Sequence, residues 1–349
     1  MIVRLDCPRD PNTLTQRAKP MAEATDVVII GAGPCGLAAG ASLKKAGLSA
    51  ILFDKGCITN SIVDYPPYMT FFSTARNLEL EDIPFVVPEG NPTRREALVY
   101  YRRVATHFSL DIRQYEEVEE VTGKMGAFEL RTRVLGDGSR RTYRAHSVIV
   151  ATGGFQAPNF LDVPGEDLPK VHHYYREPYP FHDQDVVVVG GGNSAVESAL
   201  DLYRNGARVT LVHCEAELDR GVKPWVVPDI TNRLKNEEIA VHWRTRIVEI
   251  TPRTVVLREE ESGKTHEIAN DWVFAMTGWR ANPLILRSLG VRIDAETGIP
   301  HHDPATMETN VPGVYIAGVL AAGHNANKIF IENGKWHGGL IARAIEAVL

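Results

Sequence analysis

The clearest pattern along the chain is a β-branched apolar run that meets a glycine-rich turn and continues as a helix. Asp26 to Ile30 predicts a buried strand, and Leu37 to Ala46 predicts a helix. Between them stands the turn Gly31-Ala32-Gly33-Pro34-Cys35-Gly36. A second apolar run, Ala50 to Phe53, ends at the acidic residue Asp54. This order of elements predicts a Rossmann-type unit with a dinucleotide on its glycine turn.

Each residue type in this turn has a physical task in binding a dinucleotide. Gly31 allows the tight turn, Gly33 lets the backbone approach a pyrophosphate, and Gly36 lets helix and strand pack closely. The free N–H groups of the helix N-terminus attract the phosphates, and the Asp54 carboxylate can accept both ribose hydroxyls. The predicted contacts of this unit are Gly31, Gly33, Pro34, Cys35, Gly36, Asp54 and Lys55.

A second unit of the same kind lies near the middle of the chain. Asp185 to Val189 predicts the strand, and Gly190 to Ala195 predicts the turn, with Ala195 in the place of the third glycine. Val196 to Asn205 predicts the helix, and Arg208 to His213 predicts the following strand. The sequence therefore predicts two dinucleotide sites in one chain.

The end of the strand predicted from Arg208 to His213 bears on the choice between NADPH and NADH. A basic residue there favours the 2′-phosphate of NADPH, whereas an acidic residue favours the free ribose of NADH. His213, Arg220 and Lys223 favour the phosphate, and Glu215 favours the ribose. The sequence is divided on this point.

The C-terminal segment predicts a flavin site. A small-residue loop, Ala321 to Asn327, precedes a segment from Lys328 to Val348 that is predicted to be helical. The N-terminus of such a helix could stabilise the negative charge that develops at the N1–C2=O edge of a reduced flavin. Aromatic residues between Tyr65 and Phe72, together with Phe330 and Trp336, could wall the ring, with core packing as their alternative role.

Three apolar runs that end in small-residue turns indicate how the units are joined. Val148 to Gly154 and Val273 to Gly278 are interpreted as exits from the first and second units, and Val314 to Gly318 as a strand that returns to the first. We therefore predict an α/β fold with two Rossmann-like nucleotide-binding domains, the NAD(P) domain being inserted into the FAD domain. The predicted bounds are 24–158 and 282–349 for the FAD domain, 159–281 for the NAD(P)H domain, and 1–23 for a loose N-terminal leader.

The composition of the chain mainly argues against certain kinds of partner and site. The 349 residues carry a formal net charge of -6 without a Lys/Arg cluster, which argues against a nucleic-acid partner. The cysteines Cys7, Cys35, Cys57 and Cys214 form no Cys-x-x-Cys pair, so neither a metal site nor a local redox dithiol is expected. The longest apolar stretch, Val27 to Leu43, is interrupted by glycines and a proline, which argues against a membrane span. Few cysteines and no secretory signal indicate the cytoplasm.

The double glycine fingerprint and the nested order resemble the low-molecular-weight thioredoxin reductase family. Further segments are similar to its YpdA-type branch, the bacillithiol disulfide reductases. These segments are Asn60-Ser61-Ile62, YPPYMTFFSTARNLEL from Tyr65 to Leu80, Lys223-Pro224-Trp225, and IAGVLAAGHNANKIFIENGKWHG from Ile316 to Gly338. The resemblance covers about residues 24–345, and Cys35 matches a cysteine in the glycine loop of that branch.

The resemblance implies an enzyme that passes hydride from NADPH to FAD and reduces a small disulfide, bacillithiol disulfide. It implies FAD contacts at Gly31, Gly33, Gly36, Asp54, Asn60, Ser61 and Gly318, to which we add Thr152, Gly153, Lys328 and Ile329. It implies nicotinamide contacts at Gly190, Gly192, Asn193 and Ser194, to which we add His213 and Arg220. Two residues depart from the patterns: Cys214 stands where an arginine is expected, which leaves NADH possible, and Val319 replaces an aspartate of thioredoxin reductases.

The missing dithiol leaves two routes for the electrons. Either the flavin reduces the small disulfide directly, which is the hypothesis preferred here, or Cys35 acts as a catalytic thiol and forms a mixed disulfide. A thiol at a helix N-terminus is expected to have a lowered pKa, which favours the second route. His324 and His337 are candidates for protonating the leaving thiolate, with surface or core packing as the alternative.

Three other classes of protein remain open. A flavin monooxygenase is suggested by ATGGFQAPNFLDVPG from Ala151 to Gly165, although the C-terminal tail does not match. A ferredoxin–NADP reductase would also lack the dithiol, but it would need a basic docking face. A nucleotide-binding redox sensor is the non-enzymatic alternative. For the enzyme we expect a small-molecule disulfide substrate, no nucleic acid, no membrane, no metal, and a homo-oligomer.

Overall fold

The structure, a computed structural model, describes residues 23–154, 157–325 and 328–349. The predicted leader lies outside these residues except for Glu23, as do Ala326 and Asn327 of the predicted small-residue loop. The described strands are β1 (Glu23–Ile30), β2 (Ala50–Asp54), β3 (Asp111–Gln114), β4 (Glu116–Thr122), β5 (Phe128–Val134), β6 (Arg140–Val150), β7 (Ala157–Pro158), β8 (Val171–His172), β9 (Asp185–Val189), β10 (Arg208–Val212), β11 (Ala240–His242), β12 (Thr245–Ile250), β13 (Thr254–Glu259), β14 (Thr265–Ala269), β15 (Trp272–Ala275), β16 (Trp279–Arg280) and β17 (Val314–Ile316). The described helices are α1 (Pro34–Lys45), α2 (Asn60–Val63), α3 (Ala75–Leu78), α4 (Arg94–His107), α5 (Asn193–Arg204), α6 (Val227–Lys235), α7 (Leu284–Ser288), α8 (Ile331–Gly334) and α9 (His337–Glu346).

The first sheet has the strand order β3-β2-β1-β6-β5-β4, with β17 also paired to β6. Strand β1 runs parallel to β2 and β6, whereas β5 is antiparallel to both of its neighbours. The long strand β6 divides one edge between two partners: Arg140 to Ala145 pairs with β5, and Val148 to Val150 pairs with β17. The predicted return of the third apolar run to the first unit is therefore confirmed.

The second sheet has the order β11-β10-β9-β15-β8, and all its strands are parallel. Its strand β9 is buried on both faces, since Val186 and Val188 pack into one hydrophobic cluster and Val187 and Val189 into another. A strand covered on both faces has no side for polar residues, which explains the unbroken valine run. The antiparallel sheet β12-β13-β14 supplies part of the second cluster.

The chain passes between the two sheets through a short antiparallel pair. Strands β7 and β16 place Pro158 opposite Trp279, close to where the chain enters and leaves the predicted NAD(P)H domain of residues 159–281. The predicted α/β fold with two Rossmann-like units is confirmed by the parallel strands β3, β2, β1, β6 and β17 of the first sheet and by the all-parallel second sheet. The bounds of the two domains stay a prediction.

Polar side chains link the two units across their contact. The Tyr68 and Tyr175 hydroxyls both donate to Oδ2 of Asp201 on α5, at 2.7 and 2.5 Å. The Lys223 ammonium lies 5.1 Å from the centre of the Phe72 ring. The segment that follows the second glycine turn therefore contacts the first unit directly.

The C-terminal segment differs from the prediction. The helix expected from Lys328 to Val348 is wrong in its first part, because Phe330 is extended and the chain forms the short α8 before α9. The Lys335 side chain turns inward at this break, and its Nζ donates to the carbonyl oxygens of Asn77 and Glu79 at 2.7 and 2.8 Å. A buried ammonium needs such acceptors. Lys335 and Trp336 themselves keep helical backbone angles between α8 and α9.

Candidate functional site

The first glycine turn is built by close backbone approach. Gly31 has φ +112°, and a Cβ placed on it would lie 2.4 Å from the Ala151 carbonyl oxygen. A Cβ placed on Gly36 would lie 2.0 Å from the Gly31 carbonyl oxygen. Both contacts are with backbone, which cannot swing aside as a flexible side chain can. These two glycines therefore hold α1 against β1 and the end of β6.

Two other glycines at the same edge of the first sheet face open space. A Cβ placed on Gly33 or on Gly153 meets no heavy atom within 4 Å beyond its own chain neighbours. Gly33 caps α1 in an extended conformation, and Gly153 follows the half-buried Thr152 just after β6. The turn thus offers a cradle beside a helix N-terminus, which fits the phosphates of FAD.

Asp54 lies at the end of β2 and is tied to the same turn. Its Oδ2 accepts a hydrogen bond from the Ala32 N–H, and its Oδ1 accepts one from the Gly56 N–H, both at 2.8 Å. Burial raises the pKa of the Asp54 carboxyl, while these two N–H groups lower it. A carboxylate held this way has unused lone pairs for ribose hydroxyls, as the predicted role requires.

The other residues predicted around this edge differ in their exposure. Asn60 is half-buried, and its Oδ1 lies 3.4 Å from the Cys57 backbone nitrogen, whereas Lys55 and Ser61 are exposed. In the C-terminal segment, Lys328 is exposed and Ile329 packs against the core of the first unit. Among the aromatics proposed as a flavin wall, Phe72 and Phe330 contact edge to face, with ring centres 5.7 Å apart.

The Cys35 thiol lies between two glycines that come from distant parts of the chain. A Cβ placed on Gly318 would lie 2.9 Å from the Cys35 sulfur, and one placed on Gly334 would lie 3.1 Å from it. Because Gly318 is a predicted FAD contact, the structure places this thiol near the predicted flavin site. Burial raises the pKa of Cys35 to about 12, so the lowered pKa expected at a helix N-terminus is wrong.

His337 contacts the same place. The Gly318 N–H donates to its Nδ1 at 3.1 Å, which leaves the ring proton on Nε2. Burial and the neighbouring His302 lower the pKa of His337 to about 4. The ring is therefore neutral near pH 7 and is a weak acid there, which does not favour its candidate role as proton donor. His324, the other candidate, is exposed and covers Gly298.

His337 is expected to weaken the fold in acid. Its pKa of about 4 lies below the ordinary value of 6.5, so the unfolded chain binds the proton first as the pH falls. The stabilisation is complete above pH 6.5 and is lost as the pH falls through about 4. It amounts to about 2 kcal/mol after allowance for partial exposure of the ring. We expect His337→Gln to flatten this acid decline in urea unfolding measured across the range.

His301→Gln is the matched control, because His301 is exposed one residue before His302. It should leave the acid decline as it is in the unsubstituted protein. An equal acid decline in the His337→Gln protein would contradict the prediction.

The second glycine turn has the same backbone form. Gly190 has φ +131°, and a Cβ placed on it would lie 2.5 Å from the Met276 carbonyl oxygen. A Cβ on Gly191 would lie 2.3 Å from Nε2 of His213, so this glycine makes room for the histidine ring. His213 is buried at 6% exposure, and its Nε2 lies 3.4 Å from Oδ1 of Asp219.

The remaining residues predicted for this site lie at its rim. Asn193, the first residue of α5, binds the backbone of the following loop, while Ser194 and Arg220 are exposed. Sequence reasoning missed Asp219 and Gly334. Asp219 directly precedes Arg220, in the segment that supplied the predicted ligands of the 2′-phosphate. Its position in the sequence could therefore have identified it. No sequence pattern indicates Gly334, because its contact with Cys35 exists only in the folded chain.

The described part of the chain offers neither a metal cluster nor a membrane-spanning helix. Within the described ranges, no group of three His, Cys, Asp or Glu side chains is placed to hold a metal ion. None of the helices in the described part has the length and apolarity that a bilayer crossing demands.

The chain matches a known protein family and resembles individual members of it. A family model described as pyridine nucleotide-disulphide oxidoreductase matches residues 28–318. The bacilliredoxin reductase Bdr of Bacillus subtilis is 45% identical over 319 residues, which cover 91% of this chain and 96% of that protein.

Two solved structures resemble the chain over almost its whole length. The bacillithiol disulfide reductase Bdr (YpdA) from Bacillus cereus has a TM-score of 0.91 and 43% identity, covering 94% of this chain and 100% of that one. The protein of the same description from Staphylococcus aureus has a TM-score of 0.87 and 40% identity, covering 93% and 99%.

Proposed function

The chain belongs to the pyridine nucleotide-disulphide oxidoreductase family, and from this premise we propose that it reduces bacillithiol disulfide with electrons from NADPH, through FAD. The observation that carries the proposal is the similarity, over almost the whole chain, to reductases named for bacillithiol disulfide. The net reaction consumes one NADPH, one proton and one disulfide, and yields NADP⁺ and two thiols. FAD, when bound, accepts a hydride and passes two electrons on.

The proposal also assigns a place in the fold to each cofactor. We propose that the first turn, the edge of β6 and the C-terminal segment hold FAD, through Gly31, Gly33, Pro34, Cys35, Gly36, Asp54, Lys55, Asn60, Ser61, Thr152, Gly153, Gly318, Lys328 and Ile329. The second turn holds the nicotinamide dinucleotide, through Gly190, Gly192, Asn193, Ser194, His213 and Arg220. The backbone of each turn binds and orients a pyrophosphate at a helix N-terminus.

The decisive experiment is a single-turnover oxidation. Protein reduced with one equivalent of NADPH is mixed in parallel with bacillithiol disulfide, oxygen, ferredoxin and oxidised thioredoxin, and the flavin absorbance is followed. We expect bacillithiol disulfide to reoxidise the flavin fastest. Faster reoxidation by oxygen or by ferredoxin would favour the corresponding alternative class, and no reoxidation by any of them would favour a redox sensor. Thioredoxin should react poorly, because the sequence has no Cys-x-x-Cys pair to relay electrons to a protein.

Cys214 is expected to limit the preference for NADPH. It follows the buried His213 at the end of β10, and Glu215 beside it is exposed. In Cys214→Arg a guanidinium near the 2′-phosphate should add about 1–2 kcal/mol of charge-assisted contact. The NADPH:NADH ratio of flavin-reduction efficiency should therefore rise by about 5- to 30-fold. Cys214→Ser is the control, and a ratio unchanged by arginine would mean that the phosphate is bound elsewhere.

We also infer a homo-oligomer, a cytoplasmic location and no nucleic-acid partner. The three described cysteines are free thiols, which suits a reducing compartment, and the net charge of -6 suits neither DNA nor RNA. Light scattering of the purified FAD-loaded protein tests the first of these inferences.

A further inference from the structure

The two glycine turns differ in which atoms lie next to the middle glycine in space. A Cβ placed on Gly33 in the first turn meets nothing within 4 Å, whereas one placed on Gly192 in the second would lie 3.0 Å from Oδ2 of Asp219. The middle glycine is where the backbone of such a turn approaches a pyrophosphate. In the second unit this approach is occupied by a carboxylate of the chain itself.

The backbone of the loop that follows β10 places Asp219 beside the turn, and the Asp219 side chain is 52% exposed there. The Asp219 N–H donates to the Gly191 carbonyl at 3.0 Å, and the Val222 N–H donates to the Asp219 carbonyl at 3.0 Å. The other carboxylate oxygen, Oδ1, lies 3.4 Å from Nε2 of His213. The Asp219 carboxylate thus lies between the glycine turn and His213, the residue predicted to bind the 2′-phosphate.

A second set of contacts fastens the same loop to α5. Nδ2 of Asn193 donates to the Gly221 carbonyl, and its Oδ1 accepts from the Lys223 N–H, both at 2.9 Å. The Lys223 ammonium pairs with Glu197 one turn further along α5, at 2.5 Å. The side chain of Asn193, a predicted cofactor contact, is therefore engaged by the loop at both of its polar atoms.

The physical reason for this arrangement is electrostatic. The N-terminus of α5 presents unsatisfied N–H groups and a partial positive charge, which attract an anion. Asp219 places its negative charge at this end of the helix. A pyrophosphate is an anion with the same requirement, and two like charges in one place repel each other.

We propose that Asp219 is an internal competitor for the nicotinamide dinucleotide. Its carboxylate takes the place of the pyrophosphate on the second turn, and binding of the dinucleotide displaces it. Displacement also removes the carboxylate that lies beside Nε2 of His213, a nitrogen without a hydrogen-bond partner among the described residues, and leaves it open to the 2′-phosphate. This inference rests on the proposed function, because it takes the second turn as the nicotinamide site. Asp219 sets the affinity for the cofactor and has no part in electron transfer.

The test is Asp219→Asn, which removes the charge and keeps the shape. NADP⁺ and NAD⁺ are each titrated by calorimetry into the oxidised, FAD-loaded protein at fixed ionic strength. We expect Kd to fall by about tenfold for both, because both carry the pyrophosphate. Glu217→Gln is the matched control: it removes the same charge from an exposed residue of the same loop. It should change Kd by less than about twofold.

Asp219→Ala serves as a second variant, because an asparagine amide could keep part of the loop contact. Unchanged or weaker binding in both variants would overturn the proposal. Tighter binding of NADP⁺ alone would overturn it too, since NAD⁺ shares the pyrophosphate and lacks only the 2′-phosphate. Failure of the proposed function is recorded separately: the unsubstituted protein would then bind neither dinucleotide and NADPH would not reduce its flavin.

Discussion

Gly36→Ala and Gly33→Ala should both abolish tight FAD binding. Gly36→Ala should disrupt the glycine turn itself, whereas Gly33→Ala should leave the turn folded and block the approach of the pyrophosphate. The Cβ added at Gly36 would lie 2.0 Å from the Gly31 carbonyl oxygen, where no side chain can move away. Such overpacking against backbone should cost about 3 kcal/mol or more of unfolding free energy.

Gly33→Ala provides the matched comparison. Gly33 has φ -73° and ψ 177°, which alanine adopts freely, and its Cβ would meet no protein atom within 4 Å. The unfolding free energy of the FAD-free protein should therefore stay within about 0.5 kcal/mol of the unsubstituted value. The methyl group would stand where the backbone approaches the pyrophosphate, so FAD affinity should fall by at least about 100-fold.

Two measurements separate these effects. Urea unfolding of the FAD-free proteins, followed by tryptophan fluorescence, reports on the turn, and fluorescence titration with FAD reports on the site. Tight FAD binding by Gly33→Ala would remove the first turn as the FAD site. Normal stability of Gly36→Ala would show that the close approach of Gly36 and Gly31 is not needed by the fold.

Cys35 should be a slow thiol in the resting, oxidised enzyme. Burial raises its pKa to about 12, so its thiolate fraction near neutral pH is smaller than that of an unperturbed cysteine by about three orders of magnitude. Alkylation by iodoacetamide should slow by about a thousandfold relative to a free cysteine, because the thiolate is the reacting form. Mass spectrometry of the digested native protein measures the rate at each cysteine.

Cys214 is the internal comparison, since it is partly exposed at the end of β10, and urea-unfolded protein gives the unprotected rate. Rapid alkylation of Cys35 in the native enzyme would contradict the prediction. The result bears on mechanism, because a protonated Cys35 must lose its proton before it can attack a disulfide.

Cys35→Ser then separates the two routes for the electrons. If the thiol forms a mixed disulfide, single-turnover reoxidation by bacillithiol disulfide collapses in this variant. If electrons pass directly from the flavin, reoxidation falls by less than about tenfold. The structure bears on both routes: the position beside Gly318 brings the thiol near the predicted flavin site, and the raised pKa removes the reactivity expected from the helix N-terminus.

The sequence alone determined the two nucleotide-binding units. Their signals are local, because β-branched runs, glycine turns and the following helices depend on neighbours in the chain. The predicted helices nevertheless begin late: α1 and α5 start at Pro34 and Asn193, three residues before the predicted starts at Leu37 and Val196. The reason is that the extended glycine before each helix caps it directly.

The tertiary structure alone decided the chemistry at the edges of the units. The local rule for a helix N-terminus predicted a reactive Cys35, and burial against Gly318 and Gly334, far away in the sequence, reversed it. The Lys335 ammonium likewise finds its acceptors, the carbonyls of Asn77 and Glu79, far away in the sequence. Asp219 meets the second turn only because its loop folds back. Burial and charge proximity are properties of the packed chain, and local sequence patterns do not contain them.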